Sequence, residues 1–338
     1  MIDVLVTGGA GFIGSNFVRH ALEAHPDWRV TTLDKLTYAG RIETLHDVLD
    51  HPRHGFVRAD ICDRAAVESL VQRSAIVVHF AAETHVDRSI QAAGDFLRTD
   101  VIGTFVLLEA ARQAPGLRRF VQISTDEVYG SVPRGASRET DELRPRNPYA
   151  ASKTAADRLA YSYFATYGVP VVVTRASNNY GPYQFPEKII PLFTTNAIDH
   201  QPVPLYGDGL NVRDWLHVRD HCRAIDLLIE QGIDGEVYNI GGGNEVTNVD
   251  LTRQILALAG RAETLIQPVS DRPGHDRRYA LDTGKLRALG WTPTVEFRQG
   301  LEETVAWYRQ NEWWWRPIKE QDAAFRAYYR SQYGASLG

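Results

Sequence analysis

Cysteine is almost missing from this chain. Cys62 and Cys222 are the only two in 338 residues, far apart and outside any C-x-x-C arrangement, so neither a disulfide framework nor a zinc knuckle is indicated. A reducing cytoplasm fits. Basic charge is not in excess: 37 Lys and Arg stand against 42 Asp and Glu, the net charge is -5, and the pI is near 6.1. No broad positive field follows, nucleic acid is not an expected partner, and any anionic ligand must be held by local groups. No run of about 18 apolar residues is available to span a membrane. The N-terminus runs straight into a strand without the basic and long apolar regions of a signal peptide. Internal repeats and low-complexity tracts are lacking. At 43% hydrophobic residues, the chain is long enough for a full core and for two unequal lobes.

The order of elements comes next. Ile2 to Val6 reads as a short apolar strand, followed by Gly8-x-x-Gly11-x-x-Gly14 and an amphipathic helix from about Ile13 to Ala24. Further strands read at Val30 to Asp34, Gly55 to Ala59, Ile76 to Phe80, Arg119 to Ser124 and Val169 to Arg175, with helical periodicity between them. Alternation of this kind predicts an α/β fold, a Rossmann-type doubly wound parallel sheet covered on both faces. After Asn179 the chain turns Pro- and Gly-rich, which marks a smaller C-terminal α/β lobe. A strand and helix from Arg213 to Glu230 and a strand at Val237 to Ile240 return to the main sheet in this reading. The dinucleotide-binding domain is then 1–180 plus 213–240, and the substrate lobe is 181–212 plus 241–338. Trp313, Trp314 and Trp315 read as packing.

Each glycine of the turn has a physical job: tight turning, close backbone approach to a pyrophosphate, and close packing of helix on strand, with the helix N-terminus facing the phosphates. The G-x-x-G-x-x-G spacing is weak alone, and a structural turn would look the same. Asp34, 20 residues after Gly14 at the end of the second strand, strengthens it. An acid there accepts hydrogen bonds from the adenosine ribose and repels a 2′-phosphate, so NAD is favoured over NADP; a loop cap is the plainer alternative. Lys35 beside it softens the preference. Phe12, Ile13, Leu36 and Thr37 complete this wall. Asp60-Ile61 could bracket the adenine, and Ala81-Ala82-Glu83 could let the backbone approach the second ribose.

Tyr149 and Lys153 stand four residues apart at the start of a helix, so both side chains leave one face. A nearby ammonium and a positive nicotinamide ring would favour phenolate, a base for a hydroxyl proton. Thr125 supplies a hydroxyl to orient the substrate oxygen. Asp126 and Glu127 sit just beyond the same strand, 22 residues before Tyr149 counted from Glu127. Carboxylates so close tend to split their pKa values, leaving one protonated and one ionised, and the pair can donate and accept protons together. Solvated turn acids are the bland alternative. His217 and His221, at i and i+4 near Asp214 and Asp220, do not make a metal site: a catalytic zinc needs a third ligand, and neither His-Glu-x-x-His nor a Cys set is present. No metal is expected.

These residues resemble the extended short-chain dehydrogenase/reductases, and within them the dTDP-glucose 4,6-dehydratases. The likeness covers most of the chain: TGGAGFIG from Thr7, HFAAETHVDRSI from His79, STDEVYG from Ser124, YAASK from Tyr149, NNYGPYQFPEKIIP from Asn178, LYGDGLNVRDWLHVRDH from Leu205 and DRPGHDRRYALD from Asp271. The first and fourth are shared by the superfamily, while STDEVYG and NNYGPYQFPEKIIP are particular to the dehydratases. The resemblance implies a lyase with bound NAD acting on dTDP-glucose: Tyr149 takes the C4 hydroxyl proton, Glu127 removes the C5 hydrogen, and Asp126 protonates the departing C6 hydroxyl. It implies that Thr84, Thr125 and Asn178 face the hexose, and that Thr99 and Asn179 lie near the cofactor. It also implies that Lys188, Ile189, Pro204, Leu205, Tyr206, Arg213, Asn248, Arg272 and His275 line the nucleotide-diphosphate site. Thr84 stands where many relatives carry Ser. A homodimer through helices near Asp95 to Gln113 and Tyr149 to Tyr167 is implied as well. Two rivals share the superfamily, a UDP-sugar 4-epimerase and a UDP-amino-sugar dehydratase, and a third is a non-catalytic NAD-binding regulator. The Asp126-Glu127 pair argues against epimerisation, and the complete proton-transfer set argues against a regulator.

Overall fold

Strand-forming runs of Val, Ile and Thr build a central sheet in the computed structural model, which describes residues 1–334. Its strands are β1 (Ile2–Thr7), β2 (Trp28–Asp34), β3 (His54–Arg58), β4 (Ile76–His79), β5 (Arg119–Thr125) and β6 (Val171–Ala176). After β7 (Asn178–Tyr180), β8 (Val203–Tyr206) and β9 (Val212–His217), strand β10 (Val237–Ile240) completes it, before β11 (Glu245–Thr247) and β12 (Ile266–Val269). All neighbours in the seven-stranded sheet are parallel, in the order β10-β6-β5-β4-β1-β2-β3. The order reverses between β1 and β4. Doubly wound sheets bind ligands outside the carboxyl ends at such a switch point.

Both faces of this sheet are dry, which explains its continuous apolar runs. Successive residues of β1 alternate between them: Val4 and Val6 pack with Phe17, Val18, Ala21 and Leu22 of helix Phe12–Ala24, while Leu5 packs with Val67, Leu107 and Ala160 on the opposite side. Each fully buried side chain of this size contributes about 1.5–3 kcal/mol by transfer from water.

One strand departs from the expectation. β9 pairs parallel with β7 and antiparallel with β11 in a separate three-stranded sheet, and does not return to the main one. The open edge beside β6 is taken by β10, with Val237 opposite Val173, so no ladder is free there. Helix Val218–Gln231 does return, packing Cys222, Ile225 and Ile229 into the layer beneath helix Phe12–Ala24. The remaining elements, the pair β8 and β12 with helices Ile189–Ile198, Asn248–Ala259, Phe297–Gln310 and Ala323–Tyr333, surround a second core. Trp314 and Trp315 are buried there, donating their indole N–H to Thr44 Oγ1 at 3.2 Å and to the Tyr308 carbonyl at 2.7 Å.

Candidate active site

A cavity of about 310 Å³ follows the carboxyl ends of β1, β2, β4 and β5. Gly8, Gly11, Phe12, Ile13, Gly14, Asp34, Lys35, Thr37, Asp60, Ile61, Ala81, Ala82, Glu83, Thr99, Tyr149, Lys153 and Asn179 all line it. Leu36 does not. It sits at φ +59° and packs on the apolar cluster under helix Phe12–Ala24, leaving only its N–H, which donates to Asp34 Oδ1 at 2.8 Å.

The glycine turn leaves no room for side chains. A Cβ on Gly8 would lie 2.6 Å from the Ala81 nitrogen, and one on Gly14 would lie 2.3 Å from the Gly8 carbonyl oxygen. Gly11 ends the turn without a side-chain cap, so the first N–H groups of helix Phe12–Ala24 face the cavity as a ready anion site. A dinucleotide's pyrophosphate fits this cradle. Asp34 also takes the Ala10 N–H at 3.0 Å, so it is a loop cap and a cavity wall at once, and its buried carboxyl is raised by loss of solvent. Lys35 Nζ is directed at Asp60 Oδ2, 2.7 Å away.

Asp126 and Glu127 form one turn of helix directly after β5, at the same cavity. Asp126 is 4% exposed. Its Oδ1 accepts the Thr125 hydroxyl at 3.1 Å, whereas its Oδ2 is buried without a partner. Burial, with Glu127 second, holds this carboxyl well above the usual range, which favours its protonated form. Glu127 is half-buried, and its Oε2 lies 3.3 Å from Asn147 Nδ2.

Tyr149 shares the cavity with both acids. The phenol is pushed up by burial and by Glu127, Asp100 and Asp126, with the Thr125 hydroxyl opposing. This direction is the reverse of the phenolate expected from Lys153. The reason is geometric: Lys153 Nζ donates to the Ile123 carbonyl at 2.6 Å, three carboxylates surround the phenol, and the positive ring invoked with Lys153 belongs to a ligand.

A second cavity, of about 140 Å³, opens from the first past Glu127, Asn178 and Lys188. Ile189, Pro204, Leu205, Tyr206, Arg213, Asn248, Arg272 and His275 line it, and Thr84 and Thr125 line the first. Lys188, half-buried and lowered by loss of solvent, donates to Thr84 Oγ1 at 3.3 Å. Arg213 is also lowered, first by burial, with Arg272 repelling it. Crowded, partly desolvated cations are what an anion such as a diphosphate relieves.

Several groups here were not singled out from sequence. Glu187 is buried between the cavities, pairing with Arg88 at 2.9 Å and Tyr38 at 2.9 Å. Asp87 accepts from Tyr206 at 3.2 Å, Arg272 at 3.2 Å and Tyr328 at 3.3 Å. Glu187 adjoins Lys188 inside a quoted motif, which was the available signal; Asp87 had only its place in HVDRSI. Asp100, beside Thr99, had none. The two histidines serve the framework: His217 caps helix Val218–Gln231 by accepting the Arg219 N–H at 3.2 Å, and His221 is paired with Asn179 at 2.9 Å, which sets that cavity side chain.

The parallel sheet, the glycine turn at its switch point and the Tyr149-x-x-x-Lys153 pair facing it define an extended short-chain dehydrogenase/reductase. The family model for GDP-mannose 4,6 dehydratase matches residues 5–304, and the chain belongs to that family. It is 56% identical over 326 residues to a dTDP-glucose 4,6-dehydratase of Streptomyces niveus, covering 95% of this chain and 97% of that one. A crystal structure of the dTDP-glucose 4,6-dehydratase of Streptomyces venezuelae, with NAD bound, superposes with a TM-score of 0.92 at 51% identity, covering 94% of this chain and all (100%) of that one. A UDP-glucose 4-epimerase of Thermus thermophilus, in complex with NAD, is similar at a TM-score of 0.85 and 35% identity, over 92% of this chain and 100% of that one.

Proposed function

We propose that the protein is an NAD-dependent dehydratase converting dTDP-glucose to dTDP-4-keto-6-deoxyglucose. The observation that carries this reading is the buried Asp126 carboxyl, its Oδ2 without a partner, beside Glu127 and Tyr149 in one cavity. An epimerase needs the Tyr and Lys but has no use for that acid.

NAD, held along the glycine turn, would supply the hydride chemistry by accepting hydrogen from C4 of the sugar and giving it to C6. Tyr149 accepts the C4 hydroxyl proton as phenolate, the form that the positive charges of bound NAD and of Lys153 would favour against the neighbouring acids, and the Thr125 hydroxyl orients the oxygen. Oxidation at C4 acidifies the C5 hydrogen. Glu127 removes that proton, and Asp126 gives its own to the C6 oxygen, which leaves as water. Glu127 then returns a proton to C5. Tyr149 finishes one proton richer and Asp126 one poorer, and exchange with water closes the cycle.

Arg213, Arg272 and Lys188 hold the diphosphate, with Tyr206, Asn248 and His275 around the nucleoside, and Thr84 and Asn178 face the hexose. NAD is selected over NADP by Asp34. The division into a cofactor domain, 1–180 plus 213–240, and a substrate lobe is part of this reading. So is a homodimer through residues 95–113 and 149–167, supported by the exposed Leu97, Ile102, Tyr161 and Tyr167 on those helices. No helix among the described residues is long and apolar enough to cross a membrane. A cytoplasmic location is proposed on the free cysteines.

Purified protein incubated with dTDP-glucose, and separately with UDP-glucose, tests the reading through the alkali-induced absorbance of a 4-keto sugar. Product from dTDP-glucose is expected; none from either would overturn it.

A further inference from the structure

Behind Glu127 lies a second buried acid, Asp276, 1% exposed, which no step above uses. Tyr279 stands between them. Its hydroxyl donates to Asp276 Oδ2 at 2.7 Å and lies 3.5 Å from Glu127 Oε2. The other oxygen of Asp276 accepts from Arg146 Nη1 at 2.9 Å, and the Arg146 side chain is 51% exposed. A row of polar groups therefore runs from the cavity through Tyr279 and Asp276 to the half-exposed Arg146.

A phenol has one proton and two acceptor lone pairs. Because the short contact commits that proton to Asp276, a lone pair of the Tyr279 oxygen is turned to Glu127. A charged Glu127 carboxylate has nothing to offer it, but a protonated Glu127 can donate to it. Asn147 Nδ2, 3.3 Å from the same carboxylate oxygen, suits the charged form. The Oε2 side of Glu127 is thus furnished with one partner for each protonation state.

We infer that Tyr279 is a positioning residue and proton relay for Glu127, accepting the hydrogen bond of the protonated acid and passing its proton through Asp276 to solvent beside Arg146. In the shift the Glu127 O–H breaks as a new Tyr279 O–H forms, and the former phenol proton moves to Asp276, from which water takes it. Charge balances at each stage, and the phenol is never ionised. Burial, then Glu127, pushes its pKa far above the ordinary value, in keeping with a phenol that stays neutral through a concerted shift. This inference rests on Glu127 being the C5 base.

The hydrogen that returns to C5 is then exchanged with solvent while it resides on Glu127. The test is turnover of unlabelled dTDP-glucose in D2O by the holoenzyme, with deuterium at C5 of the product read by NMR. Wild type is expected to deliver deuterium, and Tyr279→Phe to retain the substrate's own hydrogen in severalfold more of its product. Phenylalanine keeps the ring that Arg213 covers at 4.5 Å. Asp276→Asn, which leaves Tyr279 in place, is expected to match it and decides the matter if Tyr279→Phe fails to fold. A wild-type product without C5 deuterium, or variants with unchanged deuterium, overturns the relay. Glu127→Gln separates the two readings: if that variant still turns over and labels C5, the base assignment itself falls, whereas an inactive Glu127→Gln beside a fully labelling Tyr279→Phe removes the relay alone.

Discussion

Lys153 donates to the main-chain oxygen of Ile123 at 2.6 Å, so the ammonium of the Tyr149-x-x-x-Lys153 pair is anchored by strand β5. The helix supplies the spacing and the strand supplies the direction. Burial lowers Lys153, while Asp100 and Asp157 act to keep it charged. If this charge serves the phenol from a fixed position, Tyr149→Phe and Lys153→Met should each slow C4 oxidation by about 10²–10⁴, the usual worth of a positioned general base. Product formation measured over a pH series checks this. A Lys153→Met enzyme with wild-type rates would leave Tyr149 sufficient by itself.

Asp126 offers a cleaner separation of steps. The acid form that this role requires and an asparagine amide have nearly the same shape, and Oδ1 can go on accepting the Thr125 hydroxyl. Asp126→Asn is therefore expected to fold normally, to exchange C5 hydrogen with D2O, and to lose water elimination by about 10² or more. Mass spectrometry of the sugar nucleotide reads both. Unimpaired elimination would hand the acid's role to another group.

Gly14 tests the cofactor cradle without touching any reactive group. Alanine there would place a Cβ 2.3 Å from the Gly8 carbonyl oxygen and 2.9 Å from the Gly9 Cα, both backbone atoms that cannot swing aside. Loss of co-purifying dinucleotide and a lower Tm are expected. Gly116→Ala is the matched control, since a Cβ there meets nothing within 4 Å. Equal cofactor content in the two variants would contradict the cradle.

How far the sequence could be read is set by which interactions are local. The glycine turn, the strand ends at Asp34 and Thr125, and the four-residue spacing of Tyr149 and Lys153 are near neighbours along the chain, and all were legible. Period-2 alternation and apolar runs sufficed for the main sheet. The placement of β9 beside β7 was not legible, because it depends on β10 occupying the edge of β6. Nor was Leu36, whose positive φ turns it from the cavity its neighbours line. The upward shift of Tyr149 comes first from burial and Glu127 and then from Asp100, 49 positions away, none of which its local spacing reveals. Such pairings are made by tertiary packing alone.

Asp100 provides a prediction in which stability and function move apart. It is 2% exposed on a π-helical turn, Leu97–Gly103, a feature often found at functional sites. Its oxygens accept the Glu83 N–H at 2.8 Å and the Ser152 hydroxyl at 2.6 Å. Burial nevertheless raises its pKa to about 6, against the pull of Lys153 and both hydrogen bonds. The folded state thus binds this proton more tightly than the unfolded chain does, near 3.8. Stability from this group is fully present below about pH 4, falls as the pH rises toward 6, and stays low above it. The cost at neutral pH is on the order of 3 kcal/mol. Asparagine would remain neutral throughout. Its oxygen can keep the Glu83 N–H, and its amide can donate to Ser152, whose own hydroxyl then serves the Tyr149 carbonyl at 2.8 Å. Asp100→Asn should therefore raise the Tm at pH 7.5, with the gap closing near pH 4. The same change removes a charge that lifts the Tyr149 phenol, so the acid limb of the rate profile should move to lower pH. Thermal melts and rates measured across one pH series check both limbs; a variant no more stable than wild type at pH 7.5 would mean that Asp100 is better solvated, or better paired with Lys153, than its burial implies.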